Sequence, residues 1–228
     1  VARSLDRITG RNLDDDATLW RRWWKEQGGT FEVPETVKEL PPQDAGGTRA
    51  GFYGIPVRSG RVIFVIDQSG SMGAEDPRPT VSGAPSGNRL DVAVKEVLGA
   101  VKGMKKRDFV NVILFHTTIH AWKDRLTRLT SGNRDDLRRH LLKQRPTGGT
   151  NLYDGLELAL LEEDVDTIFV LSDGMPGAGK YVAKDDILRA VRRLNQTKRV
   201  AIHTVSIGMD ADLMKQLAAQ NGGRYVRR

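Results

Sequence analysis

The chain has 228 residues, enough for one α/β domain with a sizeable core and an additional segment. It contains no cysteine, which excludes disulfides, cysteine-ligated zinc and thiol catalysis, and no stretch approaches the ~20 apolar residues of a membrane-spanning helix. The net charge of +7 is uneven: residues 1–50 carry 8 Lys/Arg against 9 Asp/Glu, and residues 51–228 carry 28 against 20. Such a basic body attracts acidic proteins, nucleic acid or membrane surfaces, and its sign does not choose among them.

Residues 1–33 read as an N-terminal helical segment. Asp14-Asp15-Asp16 suits a helix start, where acids meet the positive end of the helix dipole. Leu19, Trp20, Trp23 and Trp24 follow on one face at helical spacing, and Gly28-Gly29 closes the pattern. The tryptophan face reads as packing. Residues 34–59, punctuated by Pro34, Pro41-Pro42 and Gly46-Gly47, read as a linker.

Residues 60–228 read as one domain. The apolar run Arg61–Ile66 is the mark of a strand buried on both faces. Residues 74–88 form a Gly/Pro/Ser-rich loop, and Arg89–Lys102 is an amphipathic helix. Phe109–Phe115 is a strand, with Ile119–Trp122 as its hairpin partner. Helices are expected over Arg134–Lys143 and Leu152–Leu161, a strand over Thr167–Leu171 and a helix over Asp185–Leu194. A strand over Val200–Ile207, a helix over Ala211–Ala219 and a short strand over Arg224–Val226 complete the chain. This alternation predicts an α/β fold: a doubly wound, mostly parallel sheet flanked by helices, with a short N-terminal helical segment.

In open sheets of this kind, ligands bind beyond the carboxyl ends of the strands. The first strand delivers Asp67, Ser69 and Ser71 to that rim, and the strand ending at Leu171 delivers Ser172-Asp173-Gly174. The turn Thr147-Gly148-Gly149-Thr150, which opens a helix, is expected at the same edge. Oxygen donors without histidine or cysteine suit a hard cation, Mg²⁺ first, with Mn²⁺ or Ca²⁺ as alternatives. A capping turn would also account for Asp67, Ser69 and Ser71 taken alone, and Thr150 could serve as a helix cap together with Asn151. Asp154 is either a carboxylate behind the site or a solvated cap.

These residues carry a family resemblance. D-Q-S-G-S (Asp67, Ser69, Ser71), then G-G-T-N-L (Thr150), then L-S-D-G (Asp173) resembles the metal-ion-dependent adhesion site of von Willebrand factor A domains. The resemblance covers residues 60 to 226, with a Rossmann-like fold. It implies a divalent ion held by Ser69, Ser71 and Thr150, with Asp67 and Asp173 contacting it directly or through water. A partner protein's exposed Asp or Glu completes the shell, and the role is binding, not turnover. The chain departs from the adhesion members in ending at Tyr225-Val226-Arg227-Arg228, where they continue into a helix; the helix-shift mechanism is therefore not carried over. Near the start, L-D-R-I-T-G-R-N-L followed by W-R-R-W-W resembles the end of bacterial HEAT-type helical-repeat proteins and implies a bacterial multidomain parent.

Other features read more plainly. His116 and His120 belong to a hairpin edge, His140 to an exposed basic helix, and His203 to a strand core. The basic runs Lys102–Arg107, Arg138-Arg139 and Arg189–Arg199 lack interleaved aromatics, which weakens a nucleic-acid stacking platform. Nucleic-acid binding through the basic surface remains the alternative function. No phosphate loop or nucleophile–histidine–acid pattern stands out, so the chain is expected not to be an enzyme.

Overall fold

The computed structural model describes residue 9 and residues 17–32, 51–76, 87–208 and 211–228. The elements are α1 (Ala17–Gln27), β1 (Gly51–Phe52), β2 (Ile55–Pro56), β3 (Arg61–Asp67), a 3-10 turn (Gly70–Gly73), α2 (Arg89–Gly103), β4 (Phe109–Phe115), β5 (Ile119–Ala121) and β6 (Thr127–Arg128). Then come α3 (Ser131–Leu142), α4 (Leu152–Leu161), β7 (Thr167–Ser172), α5 (Lys184–Asn195), β8 (Ala201–Ser206), α6 (Asp212–Gln220) and β9 (Tyr225–Arg227).

The main sheet runs β5-β4-β3-β7-β8-β9, with β6 also on β4. β3 pairs in parallel with β4 on one side and β7 on the other, and β8 and β9 extend the parallel run. Among the described residues, β5 and β6 are the strands of this sheet that pair antiparallel, both with β4. The fold is the expected mostly parallel α/β sheet flanked by helices. From β3 the chain moves to β4, then returns past β3 to β7. That reversal leaves a crevice beyond the ends of β3 and β7.

Strand alternation divides the core in two. Val62, Phe64 and Ile66 of β3 pack with α2, α3 and the β1–β2 hairpin. Ile63 and Val65 face α4, α5 and α6. Each face of β3 is therefore apolar and covered, which is why its sequence is an unbroken apolar run.

Several boundaries differ from the sequence reading. Residues 51–57, placed in the linker, form a hairpin whose Phe52, Tyr53, Ile55 and Val57 are buried in the α2 side of the core. Tyr53 and Gly54 both take positive φ, 49° and 80°, as a two-residue hairpin turn of the right twist demands. α3 starts at Ser131, three residues before the expected Arg134, because Thr130 caps it: its hydroxyl accepts from the Asn133 amide at 3.2 Å. β6 is absent from the sequence reading; two residues are too few for a period.

In α1 the packed aromatics are Trp20, Trp23 and Phe31, edge to face at 5.9 and 5.3 Å. Trp24, expected on that face, is 60% exposed. The acidic run at 14–16, most of the HEAT-like stretch, residues 34–50 of the linker and the centre of the 74–88 loop lie outside the described residues.

Candidate functional site

The end of β3 is held from both sides. The Gln68 amide donates to the Phe115 carbonyl at 2.7 Å, the Thr147 amide donates to the Gln68 carbonyl at 2.8 Å, and the Gly70 amide donates to the Gly148 carbonyl at 3.0 Å. These bonds bring the 147–150 turn against the D-Q-S-G-S segment. Gly148 sits at φ +67°, and a Cβ there would lie 2.7 Å from Thr117 Oγ1 and 3.0 Å from His116 Nδ1. Only glycine fits this turn without displacing the neighbouring loop.

Asp67 has no exposed surface. Its Oδ1 accepts from the Ser69 amide at 2.8 Å and its Oδ2 from Ser172 Oγ at 2.5 Å. Burial pushes its carboxyl up to about 6; the hydrogen bonds from Ser172 and Ser69 oppose that shift, and the charge of Asp173 adds to it. Ser69 Oγ and Ser71 Oγ lie 3.0 Å apart, and Ser71 Oγ donates to Asp173 Oδ1 at 2.7 Å. Thr150 is buried, its carbonyl accepting from the Gly177 and Ala178 amides at 3.0 and 3.3 Å. Its hydroxyl and that of Ser71 both border Gly174: a Cβ there would lie 3.7 Å from Thr150 Oγ1 and 3.9 Å from Ser71 Oγ. Asp67, Ser69, Ser71 and Asp173 thus form one hydrogen-bonded chain at the β3–β7 crevice, with Thr150 beside Gly174 at the same rim.

The donor set is two carboxylates and three hydroxyls. Among the described residues, no group of three or more His, Asp or Glu side chains gathers as a metal site would. These are oxygen donors, the chemistry that suits a hard cation and not zinc.

Two further residues touch this set. Ser172, already placed at the rim by the sequence, bridges β7 to Asp67, and Arg89, which the sequence reading did not include, donates from Nη1 to Asp173 Oδ2 at 2.6 Å. The signal for Arg89 is Asn88: a helix cap before an arginine places a cation at the positive helix end, where it needs an acid. Asp154 turns away from the site to hold neighbouring segments, accepting from Asn151 Nδ2 at 2.8 Å and from the Lys180 amide at 3.2 Å.

The histidines are not part of the crevice's oxygen set. His116 and His120 lie 5.3 Å apart, ring to ring, with Thr118 Oγ1 2.9 Å from His120 Nε2. Burial, and then the neighbouring His120, hold His116 below its usual value. His140, expected to be exposed, is half-buried and lines a shallow cavity of about 300 Å³ with Trp122, Lys123 and Lys143. His203 stacks on Phe169 at 4.9 Å, and its Nδ1 accepts from the Arg224 amide.

The fold and crevice define an open α/β sheet with a ligand rim at its topological switch. The von Willebrand factor type A domain family matches residues 60–227, and the chain belongs to that family. Among curated proteins it is similar to inter-alpha-trypsin inhibitor heavy chain H3 of Rattus norvegicus, 27% identical over 88% of this chain and 23% of that protein. It is also similar to heavy chain H2 of Homo sapiens, 28% identical over 71% of this chain and 17% of that protein. The chain thus spans about a quarter or less of these relatives. Among solved structures, a von Willebrand factor type A protein from Catenulispora acidiphila superposes with a TM-score of 0.61 at 17% identity, covering 73% of this chain and 38% of that one. The PilB minor pilin from Streptococcus sanguinis superposes with a TM-score of 0.52 at 16% identity, covering 76% and 58%. At these identities the structures speak for the fold alone. No helix among the described residues is long and apolar enough to cross a membrane.

Proposed function

We propose that this chain is a protein-binding module that holds one divalent cation, Mg²⁺ by the donor chemistry, in the β3–β7 crevice and receives there an acidic side chain of a partner protein. The observation that carries this reading is the convergence of Asp67, Ser69, Ser71, Thr150 and Asp173 from three separate segments, linked through Ser69, Ser71 and Asp173 by hydroxyl contacts. Ser69, Ser71 and Thr150 would hold the ion through their hydroxyls, with Asp67 and Asp173 balancing its charge. The ion would supply an open position for a carboxylate. Family membership, and relatives named as heavy chains of an inhibitor, support an interaction role.

The reading is one of binding without turnover. The basic surface offers nucleic acid as the second reading, supported by charge alone. A complex with RNA or DNA that weakens steeply with salt would favour it.

The deciding experiment is a pull-down from lysate with this chain and its Asp67→Ala variant, each in Mg²⁺ and in EDTA. A protein retained only by the unaltered chain with metal is the expected result. Retention indifferent to both metal and mutation would move the operative surface away from the crevice.

A further inference from the structure

Arg89 is the first residue of α2, directly after the capping residue Asn88, whose side chain accepts from the Asp91 amide at 2.8 Å. A cation there opposes the helix dipole, yet this one is firmly held. Its Nη1 reaches Asp173 Oδ2 at 2.6 Å; the Asp173 side chain has no exposed surface, and that of Arg89 is 21% exposed. Its amide donates to the Ala74 carbonyl at 2.9 Å. Gly208, at φ +78°, makes room for the guanidinium: a Cβ there would lie 2.9 Å from Arg89 Nη2. Nε is buried with no hydrogen-bond partner among the described residues. The head group is thus committed to one carboxylate, inside a slot that a larger residue at 208 would close.

Asp173 consequently divides its oxygens. Oδ1 faces the hydroxyl chain through Ser71, and Oδ2 is occupied by the Arg89 guanidinium. A divalent ion seated among the hydroxyls must share Asp173 with that charge and is repelled by it. In a partly buried setting, repulsion between neighbouring charges is poorly screened.

Resting on the proposed cation site, we infer that Arg89 is a resident cation that competes with the divalent ion for Asp173 and holds the site's metal affinity low. This makes Arg89 a tuning residue of the site and not a ligand. Its removal should strengthen metal binding, the opposite of what loss of a supporting contact would do.

The test is calorimetric titration of the full chain with Mn²⁺ and Mg²⁺, comparing the unaltered protein with Arg89→Gln, Arg89→Lys and Asp67→Ala. Thermal unfolding in EDTA checks the fold of each. Arg89→Gln is expected to bind metal at least about tenfold more tightly, and Arg89→Lys, which keeps the charge, to stay within about threefold of the unaltered chain. Binding by Arg89→Gln that is equal or weaker, beside measurable binding by the unaltered chain, overturns this inference alone. Heat from none of the chains overturns it together with the cation site. Should Arg89→Gln fail to fold, Gly208→Ala displaces the guanidinium from the other side; tighter binding there supports the inference, and unchanged or weaker binding overturns it.

Discussion

Ser172 Oγ donates to Asp67 Oδ2 at 2.5 Å across 105 residues of sequence, joining the ends of the two strands that flank the crevice. Both residues are buried, so no water stands ready to replace the bond. Ser172→Ala leaves a buried carboxylate oxygen without its donor and is expected to cost about 1–3 kcal/mol of stability. Urea unfolding measures it, and an unchanged midpoint would mean that the bond contributes nothing.

Asp67→Asn separates the site's two roles. The substitution keeps shape and removes a buried charge that only hydrogen bonds support. Metal-free protein should therefore unfold at the same temperature or higher, while metal affinity is lost. A steep drop in the melting temperature in EDTA would instead make Asp67 a structural residue.

Chelation should leave cooperative unfolding intact. Both faces of the sheet carry extensive apolar cores that owe nothing to the crevice. Calorimetry with and without EDTA checks this, and a broad, non-cooperative transition after chelation would contradict it.

Gly54→Ala tests the hairpin that precedes the sheet. The residue sits at φ +80°, where an alanine is strained, and the loss should be about 1 kcal/mol by chemical denaturation. A larger loss would show that Phe52 and Tyr53 are displaced from the core with it.

Lys198→Met should weaken the end of α4. The ammonium donates to the Leu160 and Glu162 carbonyls at 2.6 and 3.0 Å, at the negative end of that helix. A loss of about 1 kcal/mol in urea unfolding is expected, since the group is partly solvated, with metal binding unaltered.

What the sequence disclosed, and what it hid, follows from the physics of each signal. β3 was legible because an unbroken apolar run ended by Asp67 fits a buried strand and little else; β4 was legible because only Asn111 interrupts its apolar run, and α4 because apolar residues recur at helical spacing after the Gly148-Gly149 turn. The neighbourhood of Asp67, Ser69, Ser71 and Asp173 was legible because their order and spacing match a family pattern. The β1–β2 hairpin was hidden because Tyr53 occupies a left-handed turn position more often held by Asn or Gly. Arg89 was hidden because its partner lies 84 residues away, and a single charge at a helix start has no periodicity to betray it. Trp24 misled because helical spacing alone cannot tell the rim of an apolar stripe from its centre.

The crevice opens at the ends of β3 and β7, each flanked on both sides by parallel neighbours. A partner anchored there and pulled away along the strand axes would load the β3–β4, β3–β7 and β7–β8 ladders in shear, all at once. Strands stressed this way cannot peel off one bond at a time, as an edge strand would. A partner held as proposed would therefore pull on strands loaded in shear, and under tension that contact should give way before the sheet does.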